Sequence, residues 1–219
     1  MRLLANLNVQ QRGAGLLAAA VVGFFAITAT ITPTRAANSG AETFTQGMVN
    51  EGLGILRDKS LDVAARRARF HQFVARNADA RKTALFALGQ YGRGVAEPVI
   101  EQFVVAFRDY VTAIYELRLE ERKDANLKVT GSIDNKADDV TVNTEAAGSS
   151  QPVKIGFRLI GSGGAYKVVD VQVAGIWISV EQRDQFASIL SKNKGDVPAL
   201  ITHLITQTAH MRGGEAPSQ

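Results

Sequence analysis

Three kinds of side chain in this sequence could do chemistry: three histidines, one aspartate inside an apolar run, and a series of arginines. His203 and His210 are seven residues apart on one expected helix, about 10.5 Å along its axis. A zinc ion needs each ligand nitrogen within about 2.1 Å, so they do not share one metal comfortably. His71 stands in another segment with no cysteine or carboxylate motif beside it, so no metal site is expected. Asp170 interrupts Val168-Val169-Asp170-Val171-Gln172-Val173. Burial would raise its pKa and make it a candidate general base. The structural alternative is a carboxylate paired with a cation, for which Arg183 is the candidate, or one that caps backbone amides. Gly161-Ser162-Gly163-Gly164 lies between two strand-like runs and opens no helix, so it reads as a hairpin and not as a phosphate cradle. No Gly-x-Ser-x-Gly elbow is present. The absence of cysteine removes thiol and disulfide chemistry. Arg66, Arg67, Arg69, Arg76, Arg81, Lys82 and Arg93 form a basic stretch that could meet anionic headgroups or an acidic partner, or simply face water.

The elements that must hold these residues divide by period. Residues up to about Lys123 carry helical spacing, and Leu127 to Val180 carry strand spacing. Ser39-Gly40-Ala41-Glu42 has the form of a capping box ahead of a helix near 41–57. A second helix is expected near Asp62–Arg76, and a third is capped by Asn77 or Asp79 and ends at Gly89. Pro98 suits the first turn of a long helix. Its stripe is Ile100, Phe103, Val104, Phe107, Val111 and Ile114, widened by Tyr110, Tyr115 and Leu117. Four strands follow, near 127–133, 140–145, 152–160 and 166–173, joined by short turns as in an antiparallel meander. In the last strand Val169, Val171 and Val173 should share one face, with Val168, Asp170 and Gln172 on the other. Helices near 181–192 and from Pro198 close the chain, with Asp196 as a cap. The expected class is α+β: N-terminal helices and one long helix packed on a curled antiparallel sheet of about four strands, closed by C-terminal helices.

The first 36 residues read as a cleavable export signal: Arg2 and Arg12, an apolar run from Ala14 to Ile27, Pro33, then Ala36-Ala37 as cleavage positions. The alternative is a retained membrane anchor. Of 25 basic and 21 acidic residues, Arg2, Arg12 and Arg35 leave with the leader, so 22 face 21. The near-neutral remainder gives no support to nucleic-acid binding. It is long enough for one domain, expected over 37–212, and 213–219 reads as a frayed tail.

The order of motifs resembles the MlaC family of periplasmic phospholipid-binding proteins, also called toluene-tolerance proteins. The matching stretches are Tyr166-Lys167-Val168-Val169-Asp170-Val171-Gln172-Val173-Ala174-Gly175, then Gln182-Arg183-Asp184-Gln185-Phe186, with Leu88-Gly89-Gln90-Tyr91 upstream and the Phe103…Phe107…Tyr110…Tyr115 helix. The chain departs from the family pattern at Gly92 and at Ile176-Trp177. The resemblance implies a periplasmic, monomeric carrier without catalysis or cofactor. It would shield phospholipid acyl chains and shuttle them between an outer-membrane lipoprotein complex and an inner-membrane ABC transporter. Tails are expected between the apolar sheet face and the long helix. The lining candidates are Tyr91, Phe103, Phe107, Tyr110, Tyr115, Phe157, Val169, Val171, Val173, Trp177 and Phe186. Two other readings remain at this point: an exported enzyme with Asp170 as base, and a carrier or adaptor for hopanoid-type lipids.

Overall fold

A computed structural model describes residues 38–120, 126–147 and 153–213; the stretch expected to be an export signal, residues 1–36, and all of the expected tail but Gly213 lie outside them. Helices α1 (Ser39–Arg57), α2 (Val63–Asn77) and α3 (Ala80–Leu88) come first. A single 3-10 turn at Gly89–Gly92 leads to α4 (Glu97–Glu120). Strands β1 (Asn126–Lys136), β2 (Asp139–Ala147), β3 (Val153–Ser162), β4 (Ala165–Val173) and β5 (Ile176–Trp177) follow, then α5 (Ile178–Lys192) and α6 (Val197–Met211). The sheet is an antiparallel meander in the order β1-β2-β3-β4-β5. It has five strands where four are expected. The fifth is only two residues long, too short to show a period.

Helix starts follow cap chemistry. The side chains of Asp62, Asp79 and Asp196 each accept from the backbone amide three residues on. At α1 the expected capping box does not form. Asn38 is the cap, accepting from the Ala41 amide, and Ser39 is already helical. Asn38 also donates through its amide nitrogen to Asp134 Oδ1 and receives the Tyr166 hydroxyl, an arrangement that uses the separate donor and acceptor atoms of an amide. Glu42, freed from the box, accepts from Ser132 Oγ at 2.7 Å. The β1–β2 loop is also tighter than expected. Pairing runs to Lys136 opposite Asp139, leaving only Ala137 and Asp138 between. Asn135 fastens this end by donating to Asp139 and Thr141. The β3–β4 turn is Gly163-Gly164, both at positive φ, as a two-residue primed turn requires.

The core has two parts. One joins α1 and α2 to the sheet through residues such as Leu53, Phe70, Phe73, Val140, Val142 and Leu159. The other joins α3, α4, α5 and α6. There Phe103, Phe107 and Phe186 meet with ring centroids 6.0–6.1 Å apart, Phe186 edge-on to both. The long helix α4 therefore spends its aromatic stripe on other helices. It is α1 and α2 that cover the sheet.

Candidate functional site: an apolar cavity under the sheet

Between the sheet and α1 and α2 lies a cavity of about 390 Å³. One wall is Met48, Val49, Gly52 and Leu53 of α1, residues one turn apart on a single helix face. Gly52 lets the two walls approach closely: a Cβ there would stand 3.1 Å from the Phe73 ring that forms the next wall, which would have to shift by a few tenths of an ångström. The rest of that wall is Phe70, Val74, Asn77 and Ala78. The sheet contributes Leu127, Val153, Ile155, Phe157, Val168, Val171 and Val173, and α4 contributes Tyr115. Among the described residues no charged side chain lines the space. Asn77 donates its amide nitrogen to the Phe73 carbonyl at 2.9 Å, so it is engaged within its own helix. Tyr115 is the one titratable side chain among the described lining residues. Its chemistry is the exclusion of water from apolar surface.

The strand phase that places these residues changes once. Arg158 pairs with Asp170, but Leu159 pairs with Val168, so Val169 is an inserted residue. Before this bulge the even residues Tyr166 and Val168 point inward; after it the odd residues Val171 and Val173 do. The expected single face of Val169, Val171 and Val173 is thus corrected: Val168 replaces Val169 on the main cavity. The bulge is held from the helical side. The Val168 carbonyl accepts from the Asp79 amide at 2.9 Å, and the Val169 carbonyl from Thr83 Oγ1 at 2.6 Å.

Asp170 lies beside a second void of about 60 Å³, which shares Val74, Ala78, Tyr115, Val168 and Val171 with the main cavity. Its carboxylate accepts from the amides of Val171 and Ser179 and from the Ser179 hydroxyl. The N-cap of α5 is Trp177, whose side chain makes no capping bond. Asp170 supplies that acceptor from the neighbouring strand. Burial pushes its pKa up, while these donors pull it down. Arg183 is not its partner; that guanidinium sits over the Phe86 ring, 5.3 Å from the centroid. Arg158, which pairs across the strands, is bound to Asp139 through both ends of the carboxylate.

The other sequence candidates are distributed as follows. Tyr115, Phe157, Val171 and Val173 line the main cavity; Phe107 and Val169 line the small void. Phe103 and Phe186 are buried in the helical core, with Tyr91 and Tyr110 packed against it. Trp177 is half-buried at the start of α5 and lines neither void. The sequence reading missed the α1–α2 wall. Its signal was faint, because Gly52 thins the apolar face of α1 and Gly47 and Gly54 on its exposed side dilute the helical pattern. Among the described residues no histidine, cysteine and carboxylate cluster could hold a metal. His71 has a partner from far along the chain, Asp109 Oδ1 at 2.8 Å. Of the arginine series, Arg69, Arg76 and Arg81 reach Asp58, Glu51, and Glu97 with Glu101, so much of that charge is spent within the fold.

Comparison with known proteins fits this geometry. A family model described as MlaC protein matches residues 46–206, from the cavity wall of α1 into α6. The chain belongs to the MlaC family. A search of curated proteins gave no match. Among solved structures, the fold is shared with a phospholipid-binding protein from Ralstonia solanacearum, solved in complex with a phospholipid. The TM-score is 0.67 at 21% identity, over 78% of this chain and 98% of that one. That identity speaks for the fold, and the MlaC chain described here carries its own cavity residues on it. No described helix is long and apolar enough to cross a membrane.

Proposed function

We propose that this MlaC protein binds phospholipid acyl chains in the cavity between α1, α2 and the sheet. We propose further that it carries them through the periplasm between an outer-membrane lipoprotein complex and an inner-membrane ABC transporter, as a monomer freed by cleavage after Ala36 or Ala37. The observation that supports this reading is the 390 Å³ cavity, whose described lining residues carry no charge. Two acyl chains of about 30 methylenes in all, at roughly 0.8 kcal/mol each, cost on the order of 20 kcal/mol to expose to water. A carrier that encloses part of that surface lowers the barrier to crossing an aqueous gap. The phospholipid bound by the Ralstonia protein of the same fold supports the ligand class.

Asp170 fits a structural role better than a catalytic one, since three donors already occupy its oxygens. The test is native mass spectrometry of protein purified from the periplasm, with uptake of labelled phospholipid from vesicles. Co-purified phospholipid and a mature N-terminus at Ala37 or Asn38 are expected. A protein that carries no lipid and takes none up would overturn the reading. A polycyclic lipid in its place would reassign the ligand.

A further inference from the structure

A third pocket, of about 170 Å³, lies where the start of α2 meets the later turns of α4 and the end of α6. It touches the acyl cavity only through Phe70, which is fully buried and separates the two. Three guanidinium groups converge on it, from Arg66, Arg67 and Arg212, against the single carboxylate of Glu116. With Glu116 ionised the pocket still carries an excess of two positive charges.

These arginines are unlike the paired ones further along α2. Arg66 is half-buried, and its side chain makes no ion pair or hydrogen bond at bonding distance among the described residues, acting on the Asp58 carboxylate only through space. Arg67 Nε stands 3.5 Å and Arg212 Nε 4.0 Å from Glu116 Oε2, and both distances fall outside a good hydrogen bond. Arg212 Nε and Glu116 Oε1 are buried with no hydrogen-bond partner among the described residues. An orphaned buried donor is costly, and proteins usually fill such a position with a hydrogen-bonding group. An oxyanion with several acceptor oxygens answers three guanidinium groups at once, which a water molecule cannot. The space equals that of about five waters at ~30 Å³ each, enough for a tetrahedral anion. The outer rim is apolar: Val63 is 60% and Leu117 46% exposed. Such a rim suits a phosphate that arrives attached to something less polar.

We propose that this pocket binds a phosphate group, separate from the acyl cavity, with Arg66, Arg67 and Arg212 as its ligands. Two sources share that chemistry: a soluble phosphate compound and the headgroup phosphate of an anionic lipid surface. Burial pushes the Glu116 carboxyl up from its ordinary range, against the pull of Arg212 and Arg67. The one negative group in the pocket is therefore eased toward its neutral form as an anion approaches.

The experiment uses the mature chain at low ionic strength with two probes. The first is inorganic phosphate, followed by titration calorimetry. The second is vesicles of phosphatidylcholine with and without phosphatidylglycerol, followed by co-sedimentation. Arg66→Gln, which breaks no ion pair within 4 Å among the described residues, should weaken the productive probe by about two- to fivefold, as expected for loss of one partly exposed charge contact. Arg212→Gln should do the same. Arg93→Gln, at an exposed site elsewhere, should change nothing. Binding of free phosphate assigns a soluble ligand; binding only to phosphatidylglycerol vesicles assigns a membrane headgroup. Failure of both probes, or binding that survives Arg66→Gln and Arg212→Gln, overturns the proposal. Acyl-chain uptake is read separately, so the carrier reading and this one can fail independently.

Discussion

Replacing Ile155 by aspartate puts one carboxylate into the wall of the acyl cavity, and its effect on loading can be worked out beforehand. Ile155 is half-buried on β3, opposite Thr144 and Val173, and faces the cavity. In the empty protein the new carboxylate can remain hydrated. The loss of stability is then the half-buried apolar contact, about 1–2 kcal/mol. Loading with lipid removes that water. The carboxylate must then either be buried charged, at a cost of several kcal/mol, or take up a proton. Protonation sets the ceiling. From an ordinary pKa of about 3.9, neutralising it at pH 7 costs about 4 kcal/mol, roughly a thousandfold in affinity. At pH 5 the same step costs about 1.5 kcal/mol, little more than tenfold. Vesicle-to-protein transfer of a labelled phospholipid should therefore be nearly abolished in Ile155→Asp at pH 7 and recover by about two orders of magnitude at pH 5. Ile155→Asn should show a loss that does not vary with pH. Uptake that survives Ile155→Asp at pH 7, or a loss that pH leaves unchanged, would refute the cavity as the place where tails lose their water.

Two further predictions concern the polar joints around the cavity. Asp170→Ala removes the acceptor at the start of α5 and orphans the buried Ser179 hydroxyl. The cap contributes about 1 kcal/mol and the orphan 1–3, so denaturant unfolding should show a loss of about 2–4 kcal/mol; under 1 kcal/mol would refute the capping role. Asp139 is buried and bound to Arg158 by paired hydrogen bonds, which hold its carboxyl below the ordinary value of 3.8. A depressed folded-state pKa contributes stability that is present above the unfolded value and lost as pH falls through the folded one. The stability gap between the natural chain and Asp139→Asn should hold near 1.5–3 kcal/mol at neutral pH and close below about pH 4. A gap that persists at pH 2 would mean that packing, not charge, holds Asp139.

Much of this fold can be read from residue order, because local rules governed it. Asp62, Asp79 and Asp196 cap the helices they precede, and Gly163-Gly164 turns the hairpin it must turn. The failures have a different origin. Asn38 displaced the Ser39–Glu42 box because Asp134 and Tyr166, about a hundred residues away, reward an amide there. The phase of β4 was lost at Val169 because two adjacent valines, Val168 and Val169, give no sign of which one is the inserted residue. The aromatic stripe of α4 drew the expected ligand toward that helix. Phe103 and Phe107 have in fact a rigid partner in Phe186, and a site must be left empty by the core. The main apolar cavity lies instead under α1 and α2, where Gly52 thins the helix face and a pattern search has least to find.

The way polar and apolar contacts are divided between the walls decides which wall can yield to a lipid. The first half of α1 is tied to β1 by directional bonds: Glu42 to Ser132, and Gln46 to both the Leu127 carbonyl and the Val129 amide. The bulge in β4 is tied to the second core through Asp79 and Thr83, so Val168 cannot retreat without moving α3. By contrast, α2 meets the cavity through Phe70, Phe73 and Val74, which are non-directional contacts. Its polar ties on the cavity side are exposed ones, Arg69 to Asp58, Arg76 to Glu51 and Lys167 to the Arg76 carbonyl, where an exposed ion pair contributes about 0–1 kcal/mol. Its partly buried ties, His71 to Asp109 and Arg67 to Glu116, run to α4 and not to the cavity walls. Expansion to admit a chain should therefore fall on α2 and the Gly52–Arg57 end of α1. Amide hydrogen exchange of the empty protein should be faster over residues 63–77 than over β2 and β3, and lipid should slow it most over 63–77. Protection that rises first in α3 and β4 would place the yielding wall at the bulge, and the hierarchy of ties argued here would be wrong.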